Sequence, residues 1–409
     1  MRAVSFSDSF HRLCAIAACL SIGVLAACTT TPPPPPPPPA EPPPAPHQIF
    51  SEQPQFFRLP NAAPDKVPVR VGVILPFNDN SANVRALAKA MMNAAELALY
   101  DSGNTSIILM TAEDTGVAEG AAAAAQQLLD QGAEIIVGPI FSASVAAVTP
   151  LARDRGVPVI AFSTDRNVAG DGVYLLSFQP QSEVKRIVSY AAGQGFKRFG
   201  AMIPETPYGQ VVEQSFREAV AANNAAICDV AHFNPSAGAL TDPAAAIAKA
   251  ECDAILVPQG GSLLRGVVQT FAYSSIDTTQ VKVLGTGLWN ETATAKEELL
   301  NGAWFAAPQP SMGNAFIAKY RLTFGSEPPQ LASLAYDAVS LVALLANGTP
   351  YHRYTTRTLT DPNGFAGVDG IFRFHPDGSI ERGLAVLSID QGNIIVVSPA
   401  LTTFLAVGS

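Results

Sequence analysis

The chain has few of the features that nucleic-acid-binding proteins and enzymes need. Charged residues make up 14% of its 409 residues, the formal net charge is −9, and clusters of Lys and Arg are scarce. These features argue against a nucleic-acid partner, which calls for a basic surface. Its five histidines include no pair at the spacing of metal ligands, which argues against a zinc site. The motifs G-x-S-x-G, C-x-x-C and Walker A are absent as well. We therefore expect no enzymatic activity, no cofactor and no nucleic-acid partner.

Long apolar runs are also scarce, and the most prominent lies near the N-terminus. It covers the 15 residues from Leu13 to Ala27, fewer than the roughly 20 that a membrane-spanning helix needs. The run ends in LAAC, which resembles the lipobox of bacterial lipoproteins. This motif predicts that residues 1–27 are a signal peptide and that Cys28 is acylated and anchors the chain to a membrane. The alternative is an ordinary secretory peptide that is cut after Ala27. In the sorting rule that the lipobox implies, Thr29 directs the protein to the inner face of the outer membrane.

Proline is abundant directly after this cysteine. Eight prolines occupy 32–39, and four more fall within 42–46. Proline fixes φ and lacks an N–H, so the segment should form a polyproline II helix. At about 3.1 Å per residue, the 15 residues from 32 to 46 would reach about 45 Å, roughly twice the mean reach of a Gly/Ser linker. We interpret residues 28–67 as a lipidated linker with a stiff spacer; a ligand for SH3-like modules is the alternative.

Only two cysteines remain for the globular part. Cys14 and Cys19 belong to the leader, which leaves Cys228 and Cys252 in a compartment that permits disulfides. The pattern places them on two strands that flank a shared neighbour, at about 10 Å, whereas a disulfide needs Cα atoms within about 7 Å. We therefore expect two buried thiols, with a disulfide as the less favoured alternative.

The remaining sequence alternates short Val/Ile-rich runs with Ala-rich amphipathic segments. This rhythm predicts βαβ units around parallel sheets. It runs from 68 to 178, restarts at 198, and ends with two successive helices and a hairpin pattern over 370–399. We predict an α/β fold with two doubly wound parallel-sheet lobes joined by three crossovers, near 178, near 307 and within 350–370. The first lobe would hold 68–178 and 308–350, the second 179–307 and 370–399, followed by a tail at 400–409.

The order of several motifs indicates a family. VGVILPF, IIVGPIFSASV, VPVIAFSTD, PYGQ and FRFHPDGS together resemble the type I periplasmic-binding-protein family, which includes the leucine/isoleucine/valine receptors of ABC importers. The stretches LALYD, DTG and PYGQVVEQSFREA are similar to penicillin-binding protein activator lipoproteins, particularly their short alphaproteobacterial form. That resemblance implies an outer-membrane lipoprotein whose partner is a peptidoglycan synthase. Longer members carry a helical-repeat domain where this chain has only the linker.

Ligands of such lobes bind where strands end and helices begin. In the first lobe Ser142 and Ser144 open a helix, where they could contact an anion or simply cap backbone N–H groups. The FSTD segment offers three further polar side chains, those of Ser163, Thr164 and Asp165. The neighbouring acids Glu113 and Asp114 should point to opposite sides of a strand end, and we interpret them as exposed loop acids.

The second lobe contributes two further candidates. Tyr208 in PYGQ matches the cleft tyrosine of the family, and Trp289 lies in the loop after VKVLGTG. In the family this loop supplies an acid that neutralises a ligand's ammonium group, but here no acid occurs before Glu291. Because an uncompensated buried ammonium is costly, this weakens the binding of a free amino acid, with Glu291 one turn away as the alternative partner. Our prediction is a synthase activator, and the alternative is the substrate-binding protein of an ABC importer for branched-chain or related amino acids. Whether the cleft holds a small molecule stays open.

Overall fold

The computed structural model describes residues 56–61, 67–236 and 238–405. The predicted signal peptide, Cys28 and the proline-rich spacer lie outside these residues, as does the end of the tail. Within the described ranges, no helix is long and apolar enough to cross a bilayer.

Sixteen strands form three sheets in the part of the chain that the structure describes. In chain order they are β1 Phe56–Phe57, β2 Val69–Leu75, β3 Ile107–Glu113, β4 Ile135–Val137, β5 Val159–Ala161, β6 Val173–Leu175, β7 Arg198–Pro204, β8 Ala226–Phe233, β9 Ala254–Leu256, β10 Lys282–Gly285, β11 Trp304–Ala307, β12 Phe365–Gly367, β13 Gly370–Phe374, β14 Ile380–Arg382, β15 Ala385–Asp390 and β16 Asn393–Ser398.

Eleven α-helices accompany them in the described ranges. They are α1 Ala82–Ser102, α2 Ala118–Asp130, α3 Ser142–Asp154, α4 Pro180–Gly193, α5 Pro207–Ala222, α6 Thr241–Lys249, α7 Gly261–Tyr273, α8 Thr292–Ala295, α9 Pro310–Phe324, α10 Ala332–Leu345 and α11 Thr356–Leu359.

Both large sheets share one topology. The first sheet has the order β1-β3-β2-β4-β5-β6, and the second β16-β15-β11-β10-β9-β7-β8. All neighbours from β2 to β6 and from β7 to β11 pair in parallel, while β1, β15 and β16 are antiparallel additions. Each parallel part is doubly wound, so a topological switch point falls between β2 and β4 and another between β7 and β9. The predicted fold class is confirmed, with mixed rather than purely parallel sheets.

The sheets form because their strands are apolar on both faces. In β2, for example, Val71 and Val73 belong to one buried cluster and Ile74 to the cluster on the opposite face. The helices that cover these faces present mainly alanine and leucine, and α10 packs along α1. The small alanine side chains let helix and sheet approach closely. Two hydrophobic layers per lobe are the result.

The segment 370–399 is divided between the lobes. Its first half pairs with β12 in a small antiparallel sheet, β12-β13-β14, and Phe372, Phe374 and Ile380 join the core of the first lobe. Its second half, β15 and β16, extends the second sheet. The third crossing therefore lies at Gly383–Leu384 rather than within 350–370, because the aromatic side chains of β13 bury themselves against the first lobe.

The expectation of two free thiols was wrong, since Cys228 and Cys252 form a disulfide with Cα atoms 5.8 Å apart. The two cysteines do flank β7, as predicted. However, the pairing of β7 with β8 shifts by one residue at this point and leaves Cys228 without a partner. Both sulfurs lie over Gly200 of β7, where a Cβ atom would come within 2.7 Å of the Cys252 sulfur. The missing side chain lets the disulfide pass over the strand between them.

Candidate functional site

The loops at the carboxyl ends of β2, β4 and β5 meet at the switch point of the first sheet. The Phe162 N–H donates to the Pro139 carbonyl at 2.9 Å, which joins the loop after β5 to the loop after β4. Gly116, after β3, lies so close to Asp79 that a Cβ atom would be 2.1 Å from a carboxylate oxygen. We call this surface the first-lobe wall. The two loops predicted from the serines of α3 and from FSTD are brought together, and the loops after β2 and β3 join them.

Ser142 and Ser144 lie in the first turn of α3. The N-cap position is occupied by Phe141, which makes no capping hydrogen bond, so neither serine is the N-cap. Ser144 is fully buried, and its hydroxyl forms no hydrogen bond of normal geometry with any residue that the structure describes. The first backbone N–H groups of α3 therefore receive no capping hydrogen bond from the side chain at its N-cap position.

Asp114 is buried beneath the same wall, which corrects its interpretation as an exposed loop acid. Its side chain is 0% exposed, whereas that of Glu113 is exposed, so the two do point to opposite sides. Burial raises the pKa of Asp114, while the Gly116 N–H and the nearby Ser144 hydroxyl oppose this increase. The acid packs under the wall because its Oδ1 accepts the Gly116 N–H at 2.9 Å.

The FSTD residues divide into structural and exposed positions. Ser163 is buried and its hydroxyl accepts the Asp165 N–H at 3.1 Å. Asp165 in turn caps the short helical turn 166–168 by accepting the Asn167 N–H. Thr164 is exposed. Two of the three predicted side chains thus shape the loop, and Thr164 is the one presented to solvent.

In the second lobe, Tyr208 and the loop after β10 form an opposing surface, the second-lobe wall. The Tyr208 hydroxyl pairs with that of Thr286 at 2.9 Å. Burial raises the pKa of Tyr208, and the charge of Glu183 raises it further. At neutral pH the phenol therefore stays protonated and serves as a hydrogen-bonding group.

Trp289 occupies a different position from the one predicted. Its side chain is fully buried in the core of the second lobe and its indole N–H donates to the Gln259 carbonyl at 2.8 Å. The ring fits there because Gly285 has no side chain: a Cβ atom would lie 2.2 Å from the indole. Trp289 therefore supports the second-lobe wall from behind.

Glu183, which the sequence did not single out, supplies an acid to this wall. It lies in the first turn of α4, and its carboxylate accepts the Gly287 N–H at 2.9 Å. The loop that lacks its own acid before Glu291 thus receives one from another element. Burial raises the pKa of Glu183 to about 7, although the Gly287 hydrogen bond opposes this increase. An acid in the first turn of a helix usually reads as complementing the helix dipole, so the sequence pattern offered no functional signal.

The walls provide hydrogen-bonding groups rather than a metal centre. In the described part of the chain, no group of three or more His, Cys, Asp or Glu side chains could hold a metal ion. The chemistry available is hydrogen bonding from backbone N–H groups, hydroxyls and one titratable acid. Groups of this kind can recognise a ligand through hydrogen bonds.

Comparison with known proteins agrees with the architecture. Residues 68–393 match the sequence profile of the family described as periplasmic binding protein. The chain belongs to this family. A putative branched-chain amino acid ABC transporter from Rhodospirillum rubrum has a similar structure, with a TM-score of 0.72 and 19% identity over 81% of this chain and 100% of that one. The predicted resemblance to the periplasmic-binding-protein family is thereby confirmed.

Two further relatives are informative about the limits of the likeness. A solute binding protein from Rhodopseudomonas palustris BisB5, in complex with 3,4-dihydroxy benzoic acid, has a TM-score of 0.61 and 19% identity over 83% of this chain and 98% of that one. An uncharacterized protein of Rickettsia prowazekii is 22% identical over 171 residues, which is 41% of this chain and 45% of that protein. The match thus spans less than half of that relative's length. At these identities the structures show a shared fold.

Proposed function

We propose that the protein is a non-enzymatic lipoprotein, anchored through Cys28 to the inner face of the outer membrane, that activates a penicillin-binding protein. The observation that carries this proposal is the lipobox cysteine followed by 15 proline-rich residues. A spacer that reaches about 45 Å sets a distance between the anchor and the folded body. A partner on the opposite membrane explains that distance, and resemblance to the activator lipoproteins names the partner.

The fold fits this role because it is a two-lobed body with recognition chemistry at its walls. The family is described as periplasmic, and the periplasm is the compartment in which a peptidoglycan synthase acts. Both walls present hydrogen-bonding groups, and neither presents an assembled metal centre within the described residues. These hydrogen-bonding groups support a body that acts by binding.

The test shortens the spacer while keeping the anchor. Deleting residues 32–39 should abolish activation in cells, because the body no longer reaches its partner. The purified variant should stimulate the synthase in solution as well as the full-length protein does. A Gly/Ser replacement of equal length is the matched control, since it keeps the residue count and lowers the mean reach to about half. Full activity of the shortened protein in cells would contradict the spacer, and failure to recover a synthase from membranes would contradict the activator.

A second function, as the receptor of an ABC importer, is favoured by one observation. Glu183 gives the second-lobe wall an acid, so the expected obstacle to binding an ammonium group is smaller than the sequence indicated. A true receptor should gain about 2.7 kcal/mol of stability at a hundredfold excess of ligand over Kd. Thermal unfolding with branched-chain amino acids and with benzoates measures this. No shift with any of them would leave the activator as the better proposal.

A further inference from the structure

Two arginines, one from each lobe, hold the backbone of the chain crossings. Arg382 at the end of β14 donates from Nε to the Ser177 carbonyl of the first crossing at 3.3 Å. Arg186 on α4 donates from Nε to the Leu384 carbonyl of the third crossing at 3.0 Å. Because the lobes can move only if the crossings change their backbone angles, these contacts act directly on the hinge.

Arg382 also contacts the first crossing through Phe178, and two of its nitrogens form no hydrogen bond with the described residues. Its guanidinium lies 4.9 Å from the ring centroid of Phe178, which belongs to that crossing, and 5.4 Å from that of Phe372. The side chain is 2% exposed. Nevertheless, neither Nη1 nor Nη2 forms a hydrogen bond with any part of the chain that the structure describes. Buried N–H donors without acceptors cost free energy, so an arrangement in which Nη1 and Nη2 form hydrogen bonds is favoured.

Two carboxyl groups of the first lobe face those donors and are also incompletely paired. Asp337 on α10 has Oδ2 at 3.8 Å from Nη2 of Arg382, close enough for charge attraction and too far for a hydrogen bond. Asp369, between β12 and β13, also interacts electrostatically with Arg382. Among the described residues, Oδ2 of Asp337 and Oδ2 of Asp369 accept no hydrogen bond. The Arg382 guanidinium and the two carboxyl groups therefore lie close together without forming the hydrogen bonds that their free atoms could make.

We propose that Arg382 is a two-position latch for the hinge. In the position that the structure shows, it holds the first crossing through Ser177 and Phe178. In the second position, its Nη donors bond to Asp337, which requires the 3.8 Å separation to close to the about 2.8 Å of a charge-assisted hydrogen bond. The Nε hydrogen bond to the Ser177 carbonyl is already long at 3.3 Å, so a shift of about 1 Å toward Asp337 breaks it and releases the first crossing.

The latch is placed where both lobes meet. A narrow pocket at the crossings is lined by residues of the first crossing, by Glu183 of the second lobe and by Arg382 of the first. The charged groups that face Arg382 are therefore Asp337 and Asp369 from the first lobe, with Glu183 across the pocket. The proposal concerns the hinge itself and holds for an activator and for a receptor alike.

The test measures the distance between the lobes in variants that favour one position. Leu322 on α9 and Tyr273 on α7 are 88% and 89% exposed and lie on different lobes, so each can be replaced by cysteine and spin-labelled. The full unprocessed chain is used, in detergent because of its apolar N-terminal run. Cys14, Cys19 and Cys28 are changed to serine so that only the two introduced cysteines are labelled, and the disulfide is kept oxidised. Electron–electron double resonance then gives the distribution of distances between the two labels.

The decisive variant is Asp337→Asn. It keeps an Oδ1 acceptor for the Val368 N–H, which Asp337 bonds at 2.8 Å, and removes the charge that attracts Arg382. Losing a hydrogen bond between charged groups should shift the ratio of the two lobe distances about tenfold toward the position held by Ser177. Arg382→Gln, which can hold neither position firmly, should broaden the distribution.

Arg373→Gln is the matched control, because Arg373 lies in the same small sheet and pairs with Glu381 instead of a crossing. It should leave the distance distribution unchanged. An unchanged distribution in Asp337→Asn overturns the proposal, whatever the other variants do. If Arg382→Gln fails to fold, Asp337→Asn alone still decides, since it changes one atom and preserves the shape of the side chain.

Discussion

Replacing Glu183 with glutamine should stabilise the protein at pH 8 and change little at pH 5. The carboxylate is buried, and this burial raises its pKa from 4.5 to about 7. Glutamine has the same shape and keeps an oxygen that can accept the Gly287 N–H. It removes only the cost of holding a charge in the interior. The variant therefore isolates that cost.

The sign follows from the proton balance of the two states. Between pH 4.5 and about 7 the folded protein keeps the proton on Glu183 while the unfolded chain loses it, so the free energy of unfolding falls as the pH rises through this window. Below this pH window Glu183 is protonated in both the folded and the unfolded state, so it costs no stability. Above the window the free energy of unfolding has fallen by the full amount. The difference in pKa between the unfolded and the folded state corresponds to about 3 kcal/mol, because each pKa unit is equivalent to about 1.4 kcal/mol. The glutamine variant should escape this loss.

Urea unfolding followed by tryptophan fluorescence provides the assay. Both tryptophans, Trp289 and Trp304, lie in the second lobe with Glu183, so the signal reports the relevant lobe. Asp337, whose pKa burial also raises to about 7, is present in both proteins and cancels in their difference. Glu291→Gln, at an exposed position beyond the same loop, should change stability by less than about 0.5 kcal/mol at either pH. An equal effect of Glu183→Gln at pH 5 and pH 8 would refute the reasoning.

Three further predictions concern pairs seen in the structure. Changing Cys228 and Cys252 together to serine should lower the free energy of unfolding by about 3 kcal/mol, and a reducing agent should then affect the wild type but not the variant. Tyr208→Phe should cost about 1 kcal/mol in urea unfolding, because it removes a hydrogen bond to a buried threonine; no change would show that water replaces the phenol freely. Arg353→Met should cost about 3 to 5 kcal/mol, since it strands the buried carboxylate of Glu134, and adding Glu134→Gln should recover much of the loss.

The alternation of strands and helices could be predicted because each strand carries its own signal. Val71, Val73 and Ile74 are buried on both faces of the first sheet, and such continuous apolar runs are typical of parallel strands. The loops of the first-lobe wall followed from the same argument, since ligand sites of doubly wound sheets lie at the carboxyl ends of strands. Local patterns thus sufficed for the elements and for their order.

What could not be predicted depends on contacts between distant segments. The alternating pattern of β13 shows that Phe372 and Phe374 need a core, but not which of the two lobes provides it. The disulfide depended on Gly200 and on a one-residue shift in strand pairing, neither of which leaves a mark in the spacing of the cysteines. Glu183 looked like an ordinary first-turn acid, and only the folded chain brings it to Gly287. Tertiary packing decided each of these.

The disulfide has a consequence for how the protein matures. β8 is the outermost strand on its side of the second sheet, and Cys228 fastens it across β7 to Cys252. Before oxidation, this border is secured by a single ladder that is interrupted at the cysteine itself. Redox conditions during folding therefore bear on one edge of one lobe, whereas the three crossings contain no cysteine and do not depend on them.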